Sequence, residues 1–174
     1  RHGERARGQR SAGNGLCGGG FGDDDSFGDG GPALRATVSP HSITVDGAGN
    51  LYIADFGRIR RVTPNGTISD LSASNLASVG TGSPNTLVAR PDGTLYFIDP
   101  NARQVKRISP GGGVSVVAGT RQAGVAGECP SGPNAAASPM APQSLAVDAA
   151  GNLYVATGFS AFSRSLAVCK VSLD

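Results

Sequence analysis

The stretch PHSITVDGAGNLYIAD, residues 40–55, recurs twice further along the chain. Its counterparts are PNTLVARPDGTLYFID, residues 84–99, and PQSLAVDAAGNLYVAT, residues 142–157. In each copy a glycine stands two residues before a Leu-Tyr pair, and all 3 tyrosines of the chain occupy this one repeat position. Self-similarity of this kind is the signature of a fold built from repeated supersecondary units.

Each repeat reads as four short strands joined by tight turns. Apolar and β-branched runs predict the strands, and Gly-Ala-Gly-Asn at 47–50 and Pro-Asn-Gly at 64–66 supply turns between them. The predicted strands of the first two repeats include Ser42–Asp46, Leu51–Asp55, Ile59–Thr63, Thr67–Leu71, Val105–Ser109 and Val114–Ala118. Four antiparallel strands per repeat form the blade of a β-propeller. A β-sandwich also has many short strands, but it has no reason to repeat one turn and one tyrosine.

The composition agrees with an all-β chain. Its 174 residues include 27 glycines and 11 prolines, and only 16% are charged, which favours short strands and tight turns over amphipathic helices. The net charge of +2 is far from the basic excess that is typical of nucleic-acid binders. No apolar run approaches the length that spans a bilayer, so we expect no membrane insertion by this segment.

The repeats resemble those of the NHL family, in the variant found in secreted bacterial proteins and in the teneurin propeller. The matching residues are Gly28-Asp29-Gly30-Gly31-Pro32-Ala33, Pro40, Ile43-Thr44-Val45-Asp46, Gly49-Asn50-Leu51-Tyr52-Ile53-Ala54-Asp55, Ile59-Arg60-Arg61-Val62 and Pro64-Asn65-Gly66. The resemblance implies a β-propeller of about six four-stranded blades, of which this segment contains only about three. A half ring leaves blade faces uncovered, so we expect the isolated segment to be unstable or to aggregate.

All of the chain is expected to belong to one propeller domain. We expect residues 1–36 to form an extended inter-blade loop that completes a preceding blade. Residues 121–141 are expected to form an inserted loop. The predicted blades are 37–79, 80–120 and 142–174, the last of them partial.

Acidic residues raise two hypotheses. Asp23, Asp25 and Asp29 are weak candidates for calcium ligands, because hard cations prefer several carboxylates from one tight turn, although Asp29 also belongs to the structural loop of the NHL variant. Acids that recur at strand ends are Asp46, Asp55, Asp99 and Asp148. We interpret these as caps that accept backbone N–H groups, and not as acid–base pairs. The only histidines are His2 and His41, and we predict neither a catalytic residue nor a cofactor.

Two departures from the repeat stand out at these acidic positions. Arg90 replaces the aspartate that the other repeats carry as Asp46 and Asp148. Thr157 replaces the aspartate that they carry as Asp55 and Asp99.

Cysteine and asparagine residues suggest covalent modifications. Cys17 and Cys129 both lie in extended inter-blade loops, so one hypothesis pairs them in a disulfide, and the other gives them partners outside the segment. Asn65-Gly66-Thr67 is an N-glycosylation sequon on a predicted exposed turn, which predicts a glycan if the protein is secreted by a eukaryote.

The third strands carry a basic stripe. Its members are Arg58, Arg60, Arg61, Arg103, Lys106 and Arg107. Because basic residues here belong to the ordinary repeat and no aromatic residues alternate with them to stack bases, we do not expect nucleic-acid binding.

The long loops carry the functional prediction. Phe21, Phe159 and Phe162 lie in segments that the repeat does not explain, and apolar aromatic residues often dominate binding energy. We therefore predict a non-enzymatic protein-interaction module of an extracellular or cell-surface protein, which binds partners or copies of itself through loops on one propeller face. One alternative is a structural building block of a polymeric extracellular fibre or surface appendage. The other is a propeller lyase or hydrolase whose active residues lie outside this segment.

Overall fold

The computed structural model describes residues 27–55, 57–71, 86–120, 122, 129, 132–158 and 167–171. Over these residues the chain forms eleven β-strands in three antiparallel sheets, with two short 3-10 turns at Ala33–Arg35 and Gly132–Ala137. In the part of the chain that the structure describes, no helix is long and apolar enough to cross a membrane.

Each sheet is one blade, in which the strands lie side by side in chain order. The first blade contains β1 (Ser42–Val45), β2 (Leu51–Asp55), β3 (Arg58–Val62) and β4 (Ile68–Asp70). The second contains β5 (Leu87–Ala89), β6 (Leu95–Asp99), β7 (Gln104–Ile108) and β8 (Val114–Ala118). The third contains β9 (Pro142–Val147), β10 (Leu153–Thr157) and β11 (Ala167–Val171). The predicted strands quoted above are confirmed to within one residue at each end.

The repeat is also confirmed in the strand register. Tyr52, Tyr96 and Tyr154 each lie opposite a basic residue of the third strand of their blade, namely Arg61, Arg107 and Lys170. The three tyrosines therefore occupy equivalent places, as the aligned sequences predict.

The blades stack face to face, which explains why their strands lack polar alternation. All five residues of β6 are buried, because the second blade is covered on both faces. One core cluster joins the first blade to the second and includes Tyr52, Ala54, Ile59, Leu87, Phe97 and Ile108. Another joins the second blade to the third and includes Tyr96, Ile98, Val105, Leu145, Val155 and Val171.

The first strands of neighbouring blades run in the same direction. The Ser42 and Thr44 hydroxyls accept hydrogen bonds from the backbone N–H groups of Leu87 and Ala89, both at 3.1 Å. Each antiparallel blade therefore places its second-to-third strand connection on the edge where its first strand begins. We call this edge the loop edge. The opposite edge carries the turns after β1, β5 and β9, and we call it the turn edge.

Candidate functional site

The first insert, residues 27–39, lies on the first blade. Its backbone pairs with β4, where Gly30 N–H donates to the Ile68 carbonyl at 2.8 Å and Ile68 N–H donates to the Gly31 carbonyl at 3.0 Å. A core cluster joins it to the sheet through Ala33, Ala36, Val38, Ile53, Val62 and Ile68. Residues 27–36 of the predicted loop are thus packed on the blade that follows them. The remainder of that loop lies outside the described residues.

Arg60 of β3 holds the first insert in place. Its side chain is completely buried and donates to the Asp29 carboxylate at 2.8 and 3.1 Å. It also donates to the carbonyl oxygens of Phe27, at 3.1 Å, and Thr37, at 2.6 Å, and its Nη1 lies 3.5 Å from Asp55 Oδ2. One buried guanidinium therefore bonds to both ends of the insert, and charge-assisted bonds of this kind are the strong ones.

Asp55 completes this contact from the end of β2. Its Oδ1 accepts the backbone N–H of Ser39 at 2.7 Å, so the chain leaving the insert is bonded to the same blade. The second blade repeats the acid and base at equivalent positions, where Lys106 Nζ donates to Asp99 Oδ2 at 2.7 Å. Asp99 Oδ1 accepts the N–H of Ala102. The predicted capping by Asp55 and Asp99 is confirmed, with an ion pair added to each.

The third blade has a disulfide in place of this ion pair. Cys169 of β11 occupies the strand position of Arg60 and Lys106, and it is bonded to Cys129, with the two Cα atoms 5.2 Å apart. Cys129 precedes Pro142 by the same number of residues as Phe27 precedes the equivalent Pro40, so Cys129 and Phe27 hold equivalent positions. Phe27 is a hydrogen-bond partner of Arg60. A covalent bond thus joins the two positions that a hydrogen bond joins in the first blade.

Thr157 takes over the role of the missing aspartate. Its hydroxyl accepts the N–H of Ala141 at 3.3 Å, as Asp55 accepts that of Ser39. The described part of the second insert, residues 129 and 132–141, also bonds to the second blade, where Gly119 N–H donates to the Ala135 carbonyl at 2.9 Å. Both inserts are therefore held by the third strand of the blade that follows them.

The hypothesis that Cys17 pairs with Cys129 is wrong, and so, for Cys129, is the alternative of a partner outside the segment. Cys129 is bonded to Cys169, because the second insert folds back onto β11 and brings the two sulfur atoms together. Cys17 lies outside the described residues. The sequence signal for this pairing was a double departure from the repeat. Thr157 stands in place of the aspartate of the other blades, and Cys169 stands in place of the basic residue that contacts that aspartate.

The members of the basic stripe differ in exposure, since Arg103 is exposed whereas Arg60 and Lys106 are buried. Arg60 and Lys106 are buried against acids, because alternate residues of a strand face opposite sides of the sheet. Arg58 lies between Asp29 and Asp70, with its guanidinium carbon 4.2 Å from the centre of the Phe27 ring.

The metal-site candidates are only partly described. The Asp29 carboxylate accepts hydrogen bonds from the Arg60 guanidinium at 2.8 and 3.1 Å. Asp23 and Asp25 lie outside the described residues. Within the described ranges, no group of three or more His, Cys, Asp or Glu residues is placed to hold a metal ion.

Asp46 caps the first turn of the turn edge, as predicted. It accepts the N–H groups of Ala48 and Asn50, the Asn50 side-chain amide at 2.8 Å and the Tyr52 hydroxyl at 2.9 Å. Burial by itself raises the pKa of Asp46, but these hydrogen bonds outweigh it and hold the pKa below its usual 3.8. Burial and the bond to Asp46 raise the pKa of Tyr52 to about 12.

Asp148 repeats this cap in the third blade. It accepts the Asn152 side-chain amide at 2.7 Å and the Tyr154 hydroxyl at 3.2 Å, and the bond from Asn152 contributes most to lowering its pKa. In the second blade Arg90 stands at this position, and its Nε lies 3.8 Å from Asp92.

The exposed side of the inserts is the candidate interaction surface. Leu34 is 71% exposed and Arg35 is also exposed, while Ala136 is exposed at the equivalent place of the second insert. The predicted partner-binding residues Phe21, Phe159 and Phe162 lie outside the described residues. The sequon residue Asn65 is exposed in the turn between β3 and β4.

Residues 11–86 match the family model of the teneurin NHL domain. The blades resemble those of an NHL-type β-propeller. Over 114 residues the propeller chain is 39% identical to Teneurin-4 of Mus musculus and 32% identical to Teneurin-1 of Gallus gallus. Each match covers 56% of this chain and only 4% of the relative.

A solved structure agrees with the fold. A gluconolactonase from Xanthomonas campestris superposes with a TM-score of 0.52 at 12% identity, over 79% of this chain and 44% of that one. At this identity the likeness concerns the propeller architecture alone.

Proposed function

We propose that this propeller segment is a non-enzymatic protein-interaction module of an extracellular or cell-surface protein. Partner contact is made by the exposed side of the two inserts. The observation that carries the proposal is that both inserts are fixed to the blades at the same strand position, one by Arg60 and the other by the Cys129–Cys169 disulfide.

Fixed inserts suit binding because an ordered surface loses little conformational entropy when a partner docks. The first insert exposes Leu34 beside Arg35. Arginine is enriched among the residues that dominate binding energy, and an adjacent apolar side chain adds area that a partner removes from water. Loops on a rigid scaffold are the usual place for binding residues.

The disulfide supports the extracellular location, since disulfides persist in oxidising compartments and are rare in the cytosol. The resemblance to the NHL variant of secreted proteins favours the same location. An extracellular chain made by a eukaryote would also encounter the enzymes that modify the sequon at Asn65.

The test places a charge on each of two exposed surfaces. Labelled protein carrying Leu34→Asp is compared with protein carrying Ala48→Asp, which alters an exposed residue of the turn edge. Saturable binding to the surface of cells from the source organism is measured, with circular dichroism to verify folding. We expect at least a tenfold loss of affinity for Leu34→Asp and no loss for Ala48→Asp. Equal effects, or a loss only with Ala48→Asp, would place the contact elsewhere.

A further inference from the structure

Neighbouring blades meet at the turn edge through three repeated residues. In the first blade, Asp46 Oδ2 accepts the hydroxyl group of Tyr52 at 2.9 Å. Gly93, in the corresponding turn of the second blade, lies beside this pair. A Cβ atom at Gly93 would be 3.6 Å from Asp46 Oδ2 and 3.9 Å from the Tyr52 hydroxyl oxygen. The carboxylate and the hydroxyl of one blade therefore face the turn of the next blade.

The junction between the second and third blades keeps this geometry but reverses the charge. Arg90 stands at the position of Asp46, and Tyr96 stands at the position of Tyr52. A Cβ atom at Gly151, the equivalent of Gly93, would be only 2.6 Å from Arg90 Nη2. The Arg90 guanidinium thus lies against the next turn, as the carboxylate does in the first junction. A cation has replaced the acceptor of the tyrosine hydroxyl.

A second arginine faces the same junction. Arg107 of β7 lies directly opposite Tyr96 of β6, and directly opposite side chains share one face of the sheet with Cβ atoms about 4.5–5.5 Å apart. In the described part of the chain, Arg107 Nε is buried without a hydrogen-bond partner. The equivalent Arg61 lies close to Tyr52, because burial and the bond to Asp46 raise the pKa of that tyrosine while the charge of Arg61 opposes the rise.

The two junctions therefore differ in charge. The Asp46 carboxylate offsets the charge of Arg61 in the first junction, whereas Arg107 is accompanied by Arg90 in the second. Asp92 Oδ2 lies 3.8 Å from Arg90 Nε, which is too far for a hydrogen bond, and its side chain is 53% exposed, so water screens this pair. Cations and an unpaired hydroxyl at a packed junction are costly unless an anion joins them.

We propose that this junction binds a small free carboxylate, which accepts hydrogen bonds from the guanidinium groups of Arg90 and Arg107 and from the Tyr96 hydroxyl. Guanidinium groups match the two oxygen atoms of a carboxylate. The Arg90 side chain is 33% exposed, so the site opens to solvent. Tyr96 is only 1% exposed, so its hydroxyl admits a small anion and not a large one.

The bound carboxylate would supply from solution what Asp46 supplies within the chain. The site lies on the turn edge, between two blades that the structure describes on both sides of the junction. It shares no residue with the inserts, so it is independent of the proposed partner contact.

The test uses acetate as the probe and the full 174-residue chain. Acetate replaces chloride at constant ionic strength, while the Nε–H resonances of the arginines are followed by NMR. We expect a saturable shift of the Arg90 and Arg107 resonances. The Arg61 resonance is the internal control and should not shift, because Asp46 already provides a carboxylate in its junction.

Three variants identify the donors. Arg90→Asp restores the residue of the other two repeats, so the blade should keep its fold, and acetate binding should weaken at least tenfold. Arg103→Asp is the matched control, since it makes the same change of charge at an exposed residue of the loop edge, and it should leave binding unchanged. Tyr96→Phe removes one neutral donor and should weaken binding about threefold.

Several outcomes would overturn the proposal. The absence of a saturable shift at Arg107, or an equal shift at Arg61, would show that the second junction has no carboxylate site of its own. Equal losses in Arg90→Asp and Arg103→Asp would reduce the effect to net charge. Unchanged binding by Tyr96→Phe would remove the hydroxyl from the site and contradict the three-donor arrangement.

Discussion

The substitution Tyr52→Phe tests whether the repeated tyrosine stabilises the blade through its hydroxyl group. That hydroxyl donates to Asp46 Oδ2 at 2.9 Å, and the two residues are only 5% and 8% exposed. The ring itself packs in the core between the first two blades, and phenylalanine preserves this packing. The change therefore removes one hydrogen bond and little else.

The expected cost follows from the surroundings of the carboxylate. A hydrogen bond to a charged group contributes about 1.5–3 kcal/mol to stability. Asp46 Oδ2 keeps a second donor, the Asn50 side-chain amide at 2.8 Å, so the carboxylate is not left without a partner. We therefore expect a loss of about 1.5 kcal/mol in the free energy of unfolding, or about 4 °C in melting temperature.

Urea denaturation of the matched variants Tyr52→Phe, Tyr96→Phe and Tyr154→Phe provides the measurement. Tyr96→Phe should change the unfolding midpoint least, because Arg90 stands where the other blades have the aspartate acceptor. Tyr154→Phe should have a smaller effect than Tyr52→Phe, because Tyr154 is more exposed and its bond to Asp148 is longer, at 3.2 Å.

The pH dependence supplies an independent readout. The pKa of Tyr52 is raised from 10.0 to about 12, so its contribution to stability is complete below pH 10 and is lost as the pH rises through about 12. The difference between the unmodified protein and Tyr52→Phe should shrink over this range. Equal destabilisation by all three phenylalanine variants would refute the reasoning, because it would make the aspartate irrelevant.

Three further predictions concern the inserts, the sequon and the turn. Replacing Cys129 and Cys169 by serine should accelerate hydrogen exchange in the second insert and leave exchange in the first insert unchanged. Arg60→Met should destabilise the first insert by about 3 kcal/mol, because it removes the positive charge that Asp29 and Asp55 contact. In a eukaryotic secretory host, Asn65→Gln should abolish a glycosidase-sensitive mass shift without altering the circular dichroism spectrum. Stability should fall as the pH drops below about 4, and Asp46→Asn should weaken this dependence, because the pKa of Asp46 is lowered in the folded state.

The strands could be predicted from sequence because each repeat carries its own local signals. Turn residues such as Pro64-Asn65-Gly66 end one strand and begin the next, and the aligned copies support each other. The continuous apolar run of β6, Leu95–Asp99, indicates burial on both faces before any neighbouring blade is known.

The contacts that fix the inserts could not be predicted in the same way. A buried Arg60 looks like any surface arginine, because its partners at Phe27 and Asp29 are more than thirty residues away in sequence. Cysteine pairing has the same difficulty, since three cysteines allow more than one pairing and only the folded insert brings Cys129 to Cys169. Long-range contacts of this kind depend on the path of the insert, which the repeat does not encode.

Site-specific photo-crosslinking tests most directly the claim that the inserts make the partner contact. A photoreactive amino acid is placed at Leu34 or Ala136 on the inserts, and at Ala48 or Ala150 on the turn edge, all of them exposed positions. The proteins are bound to the surface of cells from the source organism, irradiated and analysed by mass spectrometry. The account predicts adducts with a second protein from Leu34 and Ala136 only. Adducts from Ala48 and Ala150, with none from the inserts, would contradict it.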